Sequence, residues 1–242
     1  MSLTVIILTF NEERHIERAL DSVAGLAERC FVIDSGSTDT TVERARNAGA
    51  TVLENPFVTQ AQQFNWALSQ MPDDTGWILR LDADEIVTPA LYQAIADGLE
   101  GLPAHVSGVD VDRRIHFLRR PIRWGGVFPV SVLRLFRFGQ GRCEDRWMDE
   151  HIVVQGRTVR FPGEILDDNL NSLTWWTAKH NSYASREVVD ILSREYGFQL
   201  APRAFAPADP LQAREQTTLS MRAGLKRWIK DKIYLRLPGG VR

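Results

Sequence analysis

"WILRLDADEI", residues 77–86, runs a short apolar segment into three acids, Asp82, Asp84 and Glu85. Trp77, Ile78, Leu79 and Leu81 read as a buried strand, and such a strand ordinarily gives way to Gly, Pro or Asn at a turn. Carboxylates in that place either cap the helix that follows or hold something cationic at the mouth of a sheet. Thr88 with Pro89 starts that helix, with Leu91, Ile95 and Leu99 along one face.

The stretches before it repeat the order of strand then helix. "TVIILTF" (4–10) is a continuous apolar run, which suits a strand covered on both faces. Asn11 is placed to cap a helix whose Ile16, Ala19, Leu20 and Val23 fall at i, i+3, i+4 and i+7. "CFVID" (30–34) is the next strand, Ser37 or Thr38 can cap the second helix, and Gly49 can end it. "ATVLEN" (50–55) is a weaker third strand, and "QAQQFNWALSQ" (60–70) a helix with Ala61, Phe64 and Leu68 inward. This alternation predicts an α/β fold, a mostly parallel sheet with right-handed crossovers and helices on both faces. Ligands bind such sheets outside the carboxyl ends of the strands. Asn11, Asp34 and Asp82 all lie at such ends.

From about residue 106 the pattern changes. "VSGVDVDRRIHF", "VLRLFRF" and "IVVQGRTVRF" read as extended, partly alternating strands. Two helical stretches follow, 172–195 and 212–235, separated by the proline-bearing linker "APRAFAPADP".

Composition narrows the function classes. A chain of 242 residues, 44% hydrophobic and 25% charged, has ample material for one large α/β core. A formal net charge of −2 gives no case for nucleic-acid binding. Cys30 and Cys143 stand far apart without metal or disulfide spacing. "MSLTVIILTFNEE" lacks a basic leader and a cleavage site, and no apolar run approaches the ~20 residues that span a bilayer. A cytoplasmic protein is expected.

On an extended chain, residues two apart point the same way, so Asp82 and Asp84 are expected on one side. Paired carboxylates repel unless a cation sits between them or one is protonated. Magnesium and manganese prefer a few carboxylate oxygens plus a substrate's phosphates, so the pair suits a metal–diphosphate complex. Other nucleotide-binding classes lack their marks. GxGxxG and GxxxxGK[ST] are both missing after the first strand, as is the glycine-rich basic loop of a nucleotidyltransferase. A haloacid-type phosphatase wants DxDxT, whereas Glu85 and Ile86 follow the pair here.

"TFNEE", then "IDSGSTDTT", then "LDADE", each at a strand end and in that order, resembles the family 2 glycosyltransferases of GT-A fold. "WGGVFPVSVLRLFR" followed by "DEH" is similar to the acceptor-side segment of a subgroup that builds lipopolysaccharide core and related surface glycans. The resemblance covers residues 4 to about 155 and, more loosely, "WWTAKHNSYASRE". It implies a nucleotide-sugar-binding half over 1–105, an acceptor-binding half over 106–200, and a linker and helical tail over 201–242. It also implies inverting transfer: an acceptor hydroxyl attacks the sugar's anomeric carbon, a carboxylate takes the proton, and Mg2+ or Mn2+ steadies the departing diphosphate.

Carried over by residue, the resemblance places Thr9, Phe10, Asn11 and Glu12 along the nucleotide site, and Asp34 as the first acid of the family's turn. The family favours a UDP-sugar donor, but Ser35 stands where relatives often have a second acid that contacts uracil, which leaves the base preference open. Asp82 faces the ribose and shares the metal with Asp84, and Asn65 matches an asparagine of the third helix. The diphosphate-facing cation falls to Arg80 or Arg134. A third metal ligand is left unassigned among His116, His151, His180, Asp167 and Asp168. Trp124, before Gly125 and Gly126, either packs its indole in a tight turn or stacks a sugar. Glu150 is the expected base, ahead of its neighbour Asp149, and a surface acid pair with Arg142 or Arg146 is the plain alternative. The QxxRW motif of processive synthases is missing, which argues for single-sugar addition.

Residues 212–242 hold eight basic residues against two acids, a net of +6. Leu225, Ile229 and Ile233 form a helical stripe beside a basic row of Arg222, Lys226 and Lys230. Such a helix either packs on the body or lies on an anionic membrane, here the inner face of the cytoplasmic membrane. The whole reads as a glycosyltransferase acting on a cell-surface glycan or glycolipid acceptor. The rivals are a nucleotidyltransferase-like enzyme and a catalytically inactive sugar-nucleotide-binding module.

Overall fold

The computed structural model describes residues 2–145 and 150–196. The linker and tail over 201–242 lie outside the described residues.

Four parallel strands come first: β1 (Leu3–Thr9), β2 (Arg29–Asp34), β3 (Thr51–Glu54) and β4 (Trp77–Asp82). Helices α1 (Ile16–Asp21), α2 (Thr41–Asn47) and α3 (Gln60–Ser69) connect them. After β4 come β5 (Glu85–Val87), α4 (Pro89–Gly98), β6 (Val106–Phe117), β7 (Arg120–Pro121) and β8 (Val130–Arg137). The hairpin partners β9 (Gly141–Cys143) and β10 (Ile152–Val154), then β11 (Arg157–Asp168) and α5 (Leu173–Tyr196), complete the described chain.

The main sheet runs β3-β2-β1-β4-β8-β6-β11-β5, with β7 paired to β6. β1 explains why an unbroken apolar run is needed at its centre. Leu3, Val5 and Ile7 join one buried cluster with Leu20, Leu91 and Ile95, while Ile6 joins a second with Ala61, Phe64 and Ala67 of α3. Helices therefore cover both faces, as expected of the α/β fold. Each fully buried Leu or Ile contributes roughly 1.5–3 kcal/mol to that arrangement.

One topological detail places the chemistry. β5 follows β4 after only Ala83 and Asp84, yet it lies four strands away along the hydrogen-bonded path β4-β8-β6-β11-β5. Four flat inter-strand steps would span about 19 Å. The three residue steps from Asp82 to Glu85 reach at most about 11 Å. The sheet must therefore curl round on itself, and the Asp82–Glu85 turn closes the curl.

The helix starts differ from expectation. α1 begins at Ile16 after His15, and Asn11 sits in the left-handed region (φ 56°). Its side chain does not cap its own helix; Asn11 Oδ1 accepts from the Thr38 backbone N–H (2.9 Å) instead. Nor do Ser37 and Thr38 cap the second helix, which starts at Thr41, because the Ser37 hydroxyl donates to Asp34 (2.6 Å). A polar side chain at a strand end has two backbones within reach, and local spacing does not say which it takes. α4 does begin at Pro89, with Leu91, Ile95 and Leu99 fully buried.

Gly163 lies at a register shift in β11 between Arg160 and Glu164, with φ +92°. A β-carbon there would stand 2.3 Å from the Leu91 backbone nitrogen, so only glycine lets β11 pass this close to α4.

Candidate active site

At the carboxyl ends of β1 and β2, two loops lock together. Asp34 is buried, and its carboxylate accepts from Thr9 Oγ1 (3.0 Å), Ser37 Oγ (2.6 Å) and the backbone N–H groups of Gly36 (2.9 Å) and Ser37 (2.7 Å). These four donors make it the organiser of the turn. Ser35 Oγ accepts from Gln63 Nε2 (3.1 Å), and Phe10 stays 57% exposed at the rim. The Glu12 N–H donates to Thr41 Oγ1 (2.7 Å), and its carboxylate lies 2.6 Å from His15 Nδ1. The other ring nitrogen of His15 accepts from the Leu170 N–H (2.8 Å), so the imidazole bridges the first loop and the segment before α5. Asn65 is placed apart from these groups: its amide exchanges two hydrogen bonds, each 2.9 Å, with the Cys143 backbone and ties α3 to β9.

The Asp82–Glu85 turn meets β8 and β11 where the sheet closes. Arg134 is buried and donates to Asp82 Oδ2 (3.0 Å) and, in a very short contact, to Glu85. Glu85 also accepts from the Asp82 N–H (2.9 Å). Burial opposes charge on Asp82, but Arg134 and Arg80 outweigh it and hold its carboxyl far below the usual range. Burial pushes the Glu85 carboxyl up, only partly offset by Arg134. Asp82 Oδ1 is buried without a hydrogen-bond partner.

The expectation that Asp82 and Asp84 share a side through an extended chain fails. β4 ends at Asp82, and Ala83 and Asp84 form a turn. Asp84 instead meets the β11 end: its Oδ2 accepts from Asn169 Nδ2 (2.8 Å), and its carbonyl accepts from the Asp168 N–H (3.1 Å). Asp167 stands opposite Glu85 in register. Burial, and then the charges of Asp84 and Glu85, push the Asp167 carboxyl up to about 7, against Arg113 at 4.0 Å.

Arg80 and Arg134 were the expected diphosphate cations, and the structure places them otherwise. Both are buried and neutralised by protein carboxylates, because a guanidinium at a closing curl is drawn to the nearest acids. Arg80 lies 3.7 Å from Asp82 and 3.7 Å from Glu150. In the amide orientation that satisfies both neighbours, Gln60 donates to Glu150 Oε1 (2.8 Å) and accepts from Arg80 (3.2 Å). Burial pushes the Glu150 carboxyl up, with Arg80 opposing. Asp149, the alternative base, lies outside the described residues, as does Arg146.

Of the other candidates, Asp168 pairs with Arg18 (3.4 Å) and faces His116 (3.7 Å). His151 faces Glu144 (3.8 Å), and His180 stacks on Trp176 at 3.6 Å. Trp124 is 85% exposed, so its indole is not the packed one of a tight turn. A cleft of about 330 Å3 lined by Leu20, Val23, Cys30, Gly49 and Thr51 opens at the opposite, amino ends of β2 and β3, away from all these acids.

Sequence reasoning gave no role to Gln60, Asn169, His15 or Lys179, and did not foresee that Glu85 would pair with Arg134. Lys179, on the second turn of α5, lies over Trp175 (4.6 Å) and Tyr183 (5.9 Å). Burial works against its charge, yet Tyr183, Asp84 and Glu12 together hold its pKa above the ordinary value. The i, i+4, i+8 spacing of Trp175, Lys179 and Tyr183 was the one visible signal for it.

Uncharacterized glycosyltransferases of Rickettsia typhi and Rickettsia bellii are 37% and 39% identical over 93 residues, 38% of this chain. That match spans just under a third (31%) of either relative's length. Among solved structures, glucosyl-3-phosphoglycerate synthase from Mycobacterium tuberculosis, in complex with Mn2+, UDP and glucosyl-3-phosphoglycerate, is 24% identical with a TM-score of 0.39. It covers 48% of this chain and 44% of its own. The profile of glycosyl transferase family 2 matches residues 4–147, which is more than half the chain and takes in the β1, β2 and β4 ends together. The chain belongs to glycosyl transferase family 2.

Proposed function

We propose that the chain is an inverting glycosyltransferase that moves one sugar from a nucleotide-sugar donor, a UDP-sugar being favoured, to a cell-surface glycan or glycolipid acceptor of the lipopolysaccharide-core type. The observation that carries this reading is the single curl that gathers Asp82, Asp84 and Glu85 against Arg134 and Asp167, with Glu150 tied to the same cluster through Arg80.

The Thr9–Glu12 and Asp34–Thr38 loops form the nucleotide-facing wall, with Asp34 shaping the backbone rather than meeting the ligand. Asp82 Oδ1, buried without a hydrogen-bond partner and 3.7 Å from Arg80, suits a ribose hydroxyl. Asp84 and Asp167 would hold a divalent cation, which would offset the burial and the neighbouring Asp84 charge that push the Asp167 carboxyl up. Among the described residues no three His, Cys, Asp or Glu side chains form a cage, which agrees with a metal that takes most of its remaining ligands from phosphates and water. When bound, Mg2+ or Mn2+ would neutralise the diphosphate and stabilise charge on its leaving oxygen.

Glu150 takes the acceptor's proton. Its raised pKa makes it a better base than an exposed carboxylate, and Gln60 and Arg80 fix its direction. As the acceptor oxygen bonds to the anomeric carbon, the bond from that carbon to the diphosphate breaks. Its electron pair leaves with the phosphate oxygen, and the configuration inverts.

The test has two steps. UDP-, GDP- and dTDP-sugars are screened with Mn2+ for thermal stabilisation, since a ligand of the native state raises apparent stability by mass action. With the donor found, Glu150→Gln should lower turnover by about a hundredfold or more while donor affinity stays within a few-fold. Undiminished turnover in that variant would remove Glu150 from the mechanism.

A further inference from the structure

Transfer leaves a nucleoside diphosphate whose new charge must be neutralised, and most cations at the site are already committed. Arg134 serves Asp82 and Glu85, Arg80 lies between Asp82 and Glu150, Arg113 faces Asp167, and Arg18 holds Asp168. Each guanidinium is matched by a protein carboxylate. One divalent ion beside Asp84 would still leave the departing diphosphate in excess negative charge.

The start of α5 is fixed against this site by bonds on four successive residues. The Asp168 N–H donates to the Asp84 carbonyl (3.1 Å), and the Asp168 carbonyl accepts from Arg18 (2.8 Å). Asn169 donates to the Asp84 carboxylate (2.8 Å), the Leu170 N–H donates to His15 (2.8 Å), and the Asn171 N–H donates to Asn169 Oδ1 (2.9 Å). Trp176 then packs edge-on against Phe117 of β6 at 5.2 Å. The first turns of the helix, which carry Lys179, are thereby anchored to the Asp84 turn, the first loop and β6. Trp175 and Tyr183, one turn before and one after, wall its ammonium on the same face. Among the described residues Lys179 has no carboxylate within 4.0 Å, so its charge remains for a ligand.

We propose that Lys179 binds the diphosphate of the nucleotide donor and neutralises its leaving oxygen, in the position where the sequence pointed to Arg80 or Arg134. The inference rests on the glycosyltransferase reading above. Lys179 keeps its proton throughout: it donates hydrogen bonds to the phosphate oxygens, while the acceptor's proton goes to Glu150. The aromatic walls reduce the conformations open to the lysine and hold its ammonium between the two rings.

The experiment compares a nucleoside diphosphate with its monophosphate. The probe is whichever of UDP, GDP or dTDP stabilises the wild type most, titrated calorimetrically with Mn2+ beside UMP, GMP or dTMP. Lys179→Met should weaken the diphosphate about tenfold or more, as for loss of a charge-assisted hydrogen bond, and the monophosphate by no more than about threefold. Lys179→Arg should recover most of the loss, and Lys179→Gln, which keeps a polar stem, should behave as Lys179→Met. Unchanged diphosphate affinity in the Met and Gln variants overturns the proposal. So does an equal loss of both nucleotides, the mark of a lysine that only holds α5. A wild type that binds none of the three diphosphates overturns the glycosyltransferase reading itself.

Discussion

Asp167 shows how one residue's environment becomes a measurable property of the fold. Its carboxyl is pushed up to about 7 by burial and by the charges of Asp84 and Glu85, whereas an unfolded chain titrates it near 4. Between those values the folded chain keeps a proton that the unfolded chain releases, so this group's contribution to stability falls as pH rises from about 4 to about 7. Asp167→Asn removes the titration. Without added metal, the variant should be more stable than wild type at pH 8, and the difference should shrink to nothing near pH 4. Denaturant melts across that range are the measurement; parallel curves for the two proteins would mean that Asp167 carries no such strain. Arg134 illustrates the opposite sign, because a guanidinium between two buried carboxylates keeps Asp82 ionised at any ordinary pH.

At the scale of elements, β11 does more than its sequence suggests. It pairs with β6 and β5, carries Asp167 and Asp168 to the site, and passes close over α4 at Gly163. Gly163→Ala combines a left-handed backbone with a β-carbon that meets Leu91 main chain at 2.3 Å and 2.6 Å. Together these should cost roughly 2–5 kcal/mol, seen as a lower denaturation midpoint with little change in the slope. A loss under about 0.5 kcal/mol would mean that α4 and β11 part without penalty. The elements themselves were legible. β1 announces burial on both faces by its apolar run, β4 by Trp77, Ile78, Leu79 and Leu81 around Arg80, and α4 by the spacing of Leu91, Ile95 and Leu99. Their caps were not: Asn11 took the neighbouring loop, and Ser37 its own turn at Asp34, over the expected helix.

Over the whole molecule, the curl turns a modest sheet into a site. β4 and β5, two residues apart in sequence, stand at opposite ends of a five-strand path, which brings side chains from β4, β5, β8 and β11 to one place. Among the described residues no helix is long and apolar enough to cross a membrane. The basic stretch 212–242 lies outside those residues, and its membrane role is a proposal from charge and spacing alone. The intact chain should bind vesicles containing anionic lipid, salt should weaken that binding, and deletion of 212–242 should abolish it while nucleotide binding persists. Co-sedimentation with neutral and anionic vesicles is the measurement, and equal binding to both would discard the basic row as the cause.

By itself the sequence determined the first four strands, the helices between them and α4, and the presence of Asn11, Asp34 and Asp82 at carboxyl ends of strands. Those features depend on residues within one turn or one strand of each other, where periods of 2 and 3.6 leave a direct trace. Only the tertiary structure decided which acid meets which base. Arg134 neutralises Asp82 and Glu85 from about fifty residues away, Asn169 reaches Asp84 across 85, and Leu170 reaches His15 across 155. Such pairs are set by how strands are ordered around the curl, and local spacing carries no record of that order. Burial likewise obliges the two arginines expected at the diphosphate, Arg80 and Arg134, to pair with protein carboxylates, which is why the proposed cation lies on α5 instead.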